Sequence, residues 1–325
     1  MASKRESQRC DCAEAAFMGA PIMDLMAYAA RFPKPGETIS GKQFKKSNGG
    51  KSANGCVMAA KLGLSVKMVA KIGNDSFGSD LMGSLKTFGV NTENVFITSE
   101  APTATALICV TDDGQNSIVY TPGASNLLSP KDIESRKANI FNNLKLFVST
   151  YECKPQTLEM ALKLAKQANA ITFVNGAPPF PEKYDKSAII GRSDIFCVNE
   201  SEAADLTGKP VNSVEDAKRV VVDILKLGCS TAMITVGKHG TVYVGKDENR
   251  VYHVPAKKVE KVVDTTGAGD AFVGALAYFL LREPKITFEE KVRRSCFIAS
   301  VSTEREGTQS GYPTKDQLPK ELFSN

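Results

Sequence analysis

The sequence predicts an α/β fold in three layers, with helices on both faces of a mostly parallel central sheet, and a small antiparallel β lid. Apolar strand segments alternate with amphipathic helix segments along most of the chain, which is typical of this class. Strand segments such as TAMITV at 231–236 are apolar throughout, as expected for strands buried on both faces. Two stretches, at about 25–48 and 101–122, break the alternation and favour strands joined by turns.

The elements of the predicted body follow from hydrophobic spacing and stop signals. Apolar residues at helical spacing predict a helix from Ala53 that ends at Gly63, and a second helix from Phe77 to Gly89. The other predicted elements are strands at 15–19, 65–72, 144–149, 171–174, 194–198 and 231–236, and helices at 156–167, 214–227, 268–281 and 288–301.

The two exceptional stretches predict the lid. Residues 103–110 and 117–120 read as a hairpin, because Asp113-Gly114 supplies the positive φ that a tight hairpin turn needs. The stretch 25–46 carries Pro33, Pro35 and Gly36, which favours strand and turn over helix. Exposed strand edges in such a lid favour pairing with a second copy, so we expect a homodimer formed through the lid.

Composition limits the classes of function. The 325 residues are 42% hydrophobic and 24% charged, which is ordinary for a globular protein, and we expect one domain at 14–325 after a flexible tail at 1–13, in preference to two domains. The net charge of +5 is scattered among acids, which argues against a nucleic-acid partner. The sequence contains no run of about 18 apolar residues, so no membrane span is predicted, and the N-terminus lacks the apolar segment of a secretory signal. A cytoplasmic location, or also a nuclear one, is expected.

The cysteines and histidines favour no structural zinc site. Eight cysteines are spread along the chain, and Cys10 and Cys12 form the only close pair. A structural zinc site needs four ligands, and the chain has only two histidines to complete one. Free thiols in a reducing compartment are therefore expected.

The stretch KSNGGKSANG at 46–55 resembles the end of a phosphate-binding P-loop, but its context excludes one. That motif needs a glycine where Lys45 stands, and it follows a buried apolar strand. Here the preceding residues, GKQFKK at 41–46, are polar and cationic. The two glycines therefore need another explanation.

The stretch DTTGAGD at 264–270, followed at once by the apolar helix AFVGALAYFLL, carries the sharpest chemical signal. Gly267 and Gly269 let a ligand approach the backbone, and the free N–H groups and positive dipole end of the helix favour an anion there. Asp270 at the helix start could take a proton from an attacking hydroxyl. The alternatives are a tight turn with a dipole-favouring acid, and a dinucleotide fingerprint, which Phe272 makes poor because a glycine is required there.

Six motifs in order resemble the ribokinase-like carbohydrate kinase family from about residue 19 to residue 313. The resemblance implies the three-layer fold of that family and ATP-dependent transfer of the γ-phosphoryl group to the 5-hydroxyl of D-ribose. The motifs are KPGET at 34–38, GGKSAN at 49–54, GNDSFG at 73–78, NESE at 199–202, TVGKHG at 235–240 and DTTGAGD at 264–270.

The resemblance assigns the glycine pair to the sugar. Asp24 would accept hydrogen bonds from a vicinal diol, and Glu152 would be a further contact. Without the resemblance, Asp24 could be a cap and Glu152 a solvated loop acid, and the residues alone favour the second of these two readings. The implied sugar-binding residues are Ile22, Met23, Asp24, Gly50, Lys51, Ser52, Ala53, Asn54, Glu152 and Asp270.

The resemblance also implies the phosphoryl and nucleotide sites. Asp270 would be the base, while the amides of Gly267, Ala268 and Gly269 hold the transferring group. Asn199 and Glu202 would organise Mg²⁺ and phosphates through water, whereas Glu202 alone would be read as a first-turn helix acid. The implied nucleotide residues further include Thr235, Val236, Gly237, Lys238, His239, Gly240, Gly269, Asp270 and Cys296, with His239 expected to be a loop side chain rather than a catalyst.

A monovalent-cation site completes the implied set, and activation by K⁺ is predicted. Its ligands would be Asp264, Thr266, Ser302, Arg305, Gly307 and Gly311, several of them through backbone carbonyls.

Three departures from the family pattern follow. Ser52 replaces a glycine and would be strained if its φ were positive; Gly311 replaces a common serine; and Cys296 replaces a polar nucleotide contact.

Other functions stay open at this point. A kinase of another small sugar or nucleoside, such as a fructokinase-like or adenosine-kinase-like enzyme, would share the same body, because fold does not fix substrate. A catalytically silent sugar-binding member is a further alternative, although Asp270 and both glycines argue against it.

Overall fold

The computed structural model describes residues 13–180 and 184–324, so most of the predicted tail, with Cys10 and Cys12, lies outside the described residues. The strands are β1 (Ala15–Met18), β2 (Ile22–Ala29), β3 (Gln43–Gly49), β4 (Val66–Gly73), β5 (Val95–Thr98), β6 (Thr105–Thr111), β7 (Asn116–Thr121), β8 (Leu146–Thr150), β9 (Ile171–Asn175), β10 (Ile195–Asn199), β11 (Thr231–Thr235), β12 (Thr241–Gly245) and β13 (Tyr252–Val254). The helices are α1 (Lys51–Lys61), α2 (Ser76–Thr87), α3 (Pro130–Ser135), α4 (Lys137–Phe141), α5 (Pro155–Gln167), α6 (Ser187–Ile190), α7 (Glu200–Thr207), α8 (Val214–Leu225), α9 (Ala268–Arg282) and α10 (Phe288–Ser302).

Nine strands form the central sheet in the order β13-β12-β11-β10-β9-β8-β1-β4-β5. The pairs from β11 to β5 are parallel, and β12 and β13 add an antiparallel edge. One apolar core, rich in side chains of α1, α9 and α10, covers one face, and a second, rich in those of α5 and α8, covers the other. The predicted three-layer fold is confirmed, and the apolar strands are explained by burial on both faces.

The lid is a separate four-stranded sheet in the order β3-β2-β6-β7. The predicted hairpin is β6 with β7, and the stretch 25–46 supplies most of β2 and the start of β3. Two pairings are antiparallel, but β2 and β6 pair in parallel, so the lid is a mixed sheet. Apolar side chains of the lid lie exposed, namely Phe44, Leu107, Ile118 and Val119.

The topology places the ends of several elements together. The carboxyl ends of the parallel strands β1, β8, β10 and β11 lie at one edge of the sheet, where ligands of open α/β folds bind. The chain leaves β1 for the lid and returns through β3 to begin α1 at the same edge. No helix of residues 13–180 and 184–324 is long and apolar enough to cross a membrane.

Candidate active site

The glycine pair at 49–50 lets the lid and α1 join in close contact with β1. Gly50 has φ of 95°, and a Cβ there would lie 1.9 Å from the carbonyl oxygen of Ala20. A Cβ at Gly49 would lie 2.1 Å from Oδ2 of Asp24. A side chain is therefore excluded at Gly50, and one at Gly49 would displace the Asp24 carboxylate, which lies directly against this backbone.

Glu152 closes the N-terminus of α1. Its Oε1 accepts from the N–H of Lys51 at 2.7 Å, and its Oε2 accepts from the N–H of Ser52 at 3.0 Å and the hydroxyl of Thr150 at 2.8 Å. Glu152 is only 5% exposed, so the expectation of a solvated loop acid is wrong. Burial raises the pKa of this carboxyl, while the hydrogen bonds from Ser52, Lys51 and Thr150 oppose that change. Glu152 therefore serves α1 as a buried cap supplied from another element.

Asp270 lies buried beside α1. Its Oδ2 accepts a hydrogen bond from Nδ2 of Asn54 at 2.8 Å, and the residue is 7% exposed. Burial raises the pKa of Asp270, while the Lys51 ammonium and the Asn54 amide lower it. Burial would lower the pKa of Lys51, but the carboxylates of Asp270, Glu202 and Glu152 outweigh it and hold that pKa above its ordinary value. One cation thus offsets several buried acids.

Asp24 faces the same cluster from β2. Burial, with the charges of Glu152 and Asp270, raises the pKa of Asp24 to about 7. It lies within a strand rather than at a helix start, so the reading as a helix cap is wrong. Asp24, Glu152 and Asp270 therefore form one group of acids around Lys51 and Asn54.

The N-terminus of α9 is open where the sequence predicts an anion site. Gly267 precedes the helix with φ of 72°, and a Cβ there would lie 2.4 Å from the Tyr312 hydroxyl, which donates to the Gly267 carbonyl at 2.8 Å. Ala268 donates its N–H to Thr265 at 3.2 Å. Within the part of the chain that the structure describes, the N–H groups of Gly267 and Gly269 have no partner, and a Cβ at Gly269 would meet nothing within 4 Å. Two of the three predicted amides are thus free.

Asn199 and Glu202 form a reciprocal capping box at the start of α7. The N–H of Glu202 donates to Oδ1 of Asn199 at 2.9 Å, and the N–H of Asn199 donates to Oε2 of Glu202 at 2.9 Å. Burial raises the pKa of Glu202. The first-turn reading of Glu202 is therefore correct as to its place, and its second oxygen is left for a further role.

The predicted nucleotide loop follows β11. Val236 is buried, and the tight turn Gly237–His239 lies beyond it, closed by Gly240 with φ of 94°. Thr235 donates its hydroxyl to the Val198 carbonyl at 3.4 Å, and His253 Nε2 hydrogen-bonds to the carbonyl of His239 at 2.7 Å. Lys238 lies exposed in this turn, and Cys296 on α10 lies buried, with its Sγ 3.4 Å from the hydroxyl of Thr241.

Asp264 joins the start of the α9 loop to the segment after α10. Its Oδ1 accepts from the N–H of Thr266 and its Oδ2 from the N–H of Gly307, both at 2.9 Å. Although burial acts to raise it, these hydrogen bonds hold the pKa of Asp264 below its ordinary value. A Cβ at Gly311 would lie 2.6 Å from the carbonyl oxygens of both Glu306 and Gly307, so the backbone passes too close here for a side chain. Ser302 is buried near this loop, whereas the Arg305 side chain turns to Gln317 at 2.8 Å.

Several predicted residues take other places. Ile22 packs with the small apolar cluster of Ala20, Ala104 and Ala106. Met23, on the opposite face of β2 from Asp24, lines a cavity of about 400 Å³ between β3, α2 and residues 309–310. Ala53 is fully buried in the core beneath α1.

Ser52 is helical, and positive φ occurs at Asn143 and Asn169 alone among the non-glycine residues that the structure describes. The condition for strain at Ser52, a positive φ, is therefore not met.

Sequence reasoning missed two residues of the cluster. Gln309 is buried and donates its Nε2 to Oδ1 of Asn54 at 3.1 Å. Tyr312 is buried and fixes the Gly267 carbonyl. Both belong to the segment after α10, and the only available signal was their closeness in sequence to the predicted cation ligands.

Comparison with known proteins decides the family. Residues 13–315 match the pfkB family of carbohydrate kinases. The chain belongs to this family. It is therefore an ATP-dependent carbohydrate kinase. The motif DTTGAGD, which the resemblance assigns to phosphoryl transfer, forms the open N-terminus of α9 and contains Asp270.

Individual relatives are similar over nearly their full length. The chain is 40% identical to a protein named ribokinase from Mus musculus over 319 residues, which covers 98% of both chains. It is 33% identical to a deoxyribokinase from Salmonella typhi over 310 residues, covering 95% of this chain and 99% of that protein. A solved structure of ribokinase from Arabidopsis thaliana with ribose and ATP superposes with a TM-score of 0.85 at 27% identity, covering 97% of this chain and 100% of the other.

Proposed function

We propose that the protein transfers the γ-phosphoryl group of ATP to the 5-hydroxyl of D-ribose and releases D-ribose 5-phosphate and ADP. The observation that carries the proposal is the buried Asp270 carboxylate in the first turn of α9, at an open helix N-terminus and close enough to Asp24 of the lid for their charges to interact. A relative of this chain is named ribokinase, and the structure of another contains ribose and ATP.

In this mechanism, Asp270 accepts the proton of the 5-hydroxyl as the oxygen attacks phosphorus. The N–H groups of Gly267 and Gly269, with the helix dipole, stabilise the charge that develops on the transferring group. Lys51 compensates the acids before the reaction, and its ammonium group favours the ionised form of Asp270 against the effect of burial. Asp24 accepts hydrogen bonds from two neighbouring sugar hydroxyls, which favours a sugar with a vicinal diol.

An ATP-using kinase requires a divalent metal ion, and we propose Mg²⁺ held through water at Asn199 and Glu202. The capping box occupies one oxygen of each residue and leaves Oε1 of Glu202 for a water of the hydration shell. Residues 13–180 and 184–324 contain no group of three or more His, Cys, Asp or Glu side chains placed to hold a metal directly. This suits Mg²⁺, which keeps much of its water and would neutralise phosphate charge when bound.

We propose K⁺ as an activator at the Asp264 segment. The carbonyl groups of Glu306 and Gly307 lie close to Gly311, and carbonyl groups are ligands that suit a large monovalent cation. Gly311 has no side chain and could contribute only its backbone, and Arg305 only its carbonyl, since its side chain pairs with Gln317. The ion would strengthen the positive field at the N-terminus of α9.

A second candidate is a kinase of 2-deoxyribose, favoured by the deoxyribokinase relatives. The test is ADP release measured with ribose, 2-deoxyribose, fructose and adenosine, each in K⁺ and in Na⁺ buffer. Ribose should give the highest kcat/KM, by about 10-fold or more over 2-deoxyribose, because Asp24 loses a hydroxyl partner. Equal or better use of 2-deoxyribose would overturn the choice of substrate, and equal rates in Na⁺ would overturn activation by K⁺.

We also propose a homodimer in which two lids meet. The outer strand β7 is exposed along its whole length, and Leu107, Ile118 and Val119 expose apolar surface on the same sheet. Sedimentation equilibrium should give twice the chain mass, and Val119→Lys should reduce it to that of one chain. A single-chain mass for the unmodified protein would contradict the proposal. A cytoplasmic location remains a prediction.

A further inference from the structure

Gln309, at the far end of the chain, is linked to Asp270 through Asn54. Its Nε2 donates to Oδ1 of Asn54 at 3.1 Å, and Nδ2 of the same Asn54 donates to Oδ2 of Asp270 at 2.8 Å. Gln309 is 3% exposed, Asn54 5% and Asp270 7%, so the whole path is shielded from water. Buried hydrogen bonds in series reinforce one another, because each polarises the next.

This path fixes which end of the Asn54 amide faces Asp270. An amide that turns over would present its oxygen to the carboxyl group, and that oxygen stabilises only a protonated acid. Because Gln309 offers an N–H, Asn54 keeps its oxygen toward Gln309 and its N–H toward Asp270. An N–H facing the carboxyl group stabilises the ionised form, which is the form that can accept a proton.

Gln309 holds this place at a cost in stability. Its Oε1 is buried and has no hydrogen-bond partner among the described residues. An unsatisfied buried oxygen is unfavourable, so a residue selected for packing alone would be apolar. Packing therefore does not explain a glutamine at position 309, whereas the N–H that it donates to Asn54 does.

We propose that Gln309 is a positioning residue for phosphoryl transfer, which orients the Asn54 amide so that Asp270 stays ionised and correctly placed. The inference rests on the proposed role of Asp270 as the base. The hydrogen bond of the Gln309 side chain goes to Asn54, so Gln309 acts on Asp270 through Asn54.

The test is Gln309→Met, which keeps length and loses the donor, studied with Asn54→Ala and the double variant. In Gln309→Met, kcat should fall about 10- to 100-fold, with the KM for ribose within about 2-fold, because binding contacts remain. In the Asn54→Ala background the same change should alter kcat less than about 2-fold, since the path is already broken. Ser310→Ala, an exposed neighbour, is the matched control and should leave kcat unchanged.

Two further measurements separate positioning from packing. The thermal midpoint of Gln309→Met should stay close to that of the unmodified protein, because the unpaired Oε1 of Gln309 is removed while Oδ1 of Asn54 loses its donor. The acid limb of log kcat against pH should move to higher pH, because Asp270 loses stabilisation of its ionised form. The titratable groups that interact with Asp270 are Lys51, Asp24, Glu202 and Tyr312, and none of them is changed by the substitution.

Each outcome supports or overturns the inference. An unchanged kcat in Gln309→Met, an equal loss with and without Asn54, or a lowered thermal midpoint with an unmoved acid limb would overturn it. Asp270→Asn measured in parallel separates this from the proposed function. If Asp270→Asn is inactive and Gln309→Met is normal, only the role of Gln309 is wrong. If Asp270→Asn turns over normally, the base itself is wrong.

Discussion

Helices α1 and α9 begin at the same edge of the sheet, and their N-termini differ in the partners of their first N–H groups. The first amides of α1 donate to the buried carboxylate of Glu152. The N-terminus of α9 has no such carboxylate, and the N–H groups of Gly267 and Gly269 lack partners within the described residues. Every α-helix begins with N–H groups that have no partner within the helix and with the positive end of the helix dipole.

The comparison shows that the electrostatics of a helix N-terminus can stabilise the fold at α1 and be left available for a ligand at α9. At α1 the protein supplies its own anion, so that helix end is satisfied before any ligand arrives. At α9 we propose that the anion comes from the substrate, and Asp270, the proposed base, lies in the first turn beside the opening. Substitutions at α1 should therefore affect mainly folding, and substitutions at α9 mainly turnover.

The largest effect that this contrast predicts is that of Asp270→Asn. We expect kcat to fall by roughly 10²- to 10⁴-fold, because the proton acceptor is lost while the amides of α9 remain. Ribose affinity, measured by calorimetry, should change little, and stability should hold or rise, since burial disfavours the charge. Asp112→Asn, on an exposed lid carboxylate, is the matched control and should be fully active. If kcat of Asp270→Asn stayed within about 10-fold of that of the unmodified enzyme, Asp270 would not be the base.

The next prediction distinguishes the roles of Gly267 and Gly269 at the N-terminus of α9. Gly269→Ala adds a methyl group into open space on a helix, so stability should hold or rise, while kcat should fall about 10-fold or more because the methyl group obstructs the transferring phosphoryl group. Gly267→Ala forces a methyl group against the Tyr312 hydroxyl at positive φ and should cost about 1–3 kcal/mol of unfolding free energy. Urea unfolding and ADP release on both variants check the pair. A stability loss in Gly269→Ala with normal turnover would reverse the assignment.

A smaller effect, on folding, is expected at the closed end. Glu152→Gln replaces one acceptor oxygen with an amide that faces donors from Lys51, Ser52 and Thr150. The unfolding free energy in urea should fall by about 1–3 kcal/mol, with kcat retained in the folded fraction. Unchanged stability with a strongly raised KM for ribose would instead make Glu152 a sugar ligand, as the family resemblance implies.

The same contrast explains what the sequence could and could not predict. The open end is encoded locally, because two glycines, an acid and an apolar helix follow one another within 264–281. The closed end is not, since the cap of α1 comes from Glu152, about a hundred positions away in the chain. With no Ser, Thr, Asp or Asn at the N-cap position Gly50, the sequence places the helix start at Ala53 instead of Lys51.

Other missed features are also non-local. Gln309 contacts Asn54 across 255 positions, and no spacing rule connects them. The parallel pairing of β2 with β6, which joins the two predicted lid stretches, likewise depends on how the body brings them together. The short antiparallel strands β12 and β13 escape a reading based on alternating strands and helices because no helix separates them.

The smallest expected effect concerns Asp24, whose carboxyl group interacts with Glu152 at the start of α1 and with Asp270 at the start of α9. The pKa of Asp24 is raised from an ordinary 3.8 to about 7 by burial and by the charges of Glu152 and Asp270. The folded protein therefore holds a proton that the unfolded chain has released, so this group's contribution to stability falls as pH rises from about 4 to about 7. Asp24→Asn removes that loss. Without sugar, its unfolding free energy in urea should equal that of the unmodified protein near pH 4 and exceed it at pH 8 by on the order of 1–3 kcal/mol. Glu152→Gln should weaken the same pH dependence by removing a neighbouring charge. A stability difference that stays constant from pH 4 to pH 8 would mean that Asp24 is not coupled to the acids at either helix end.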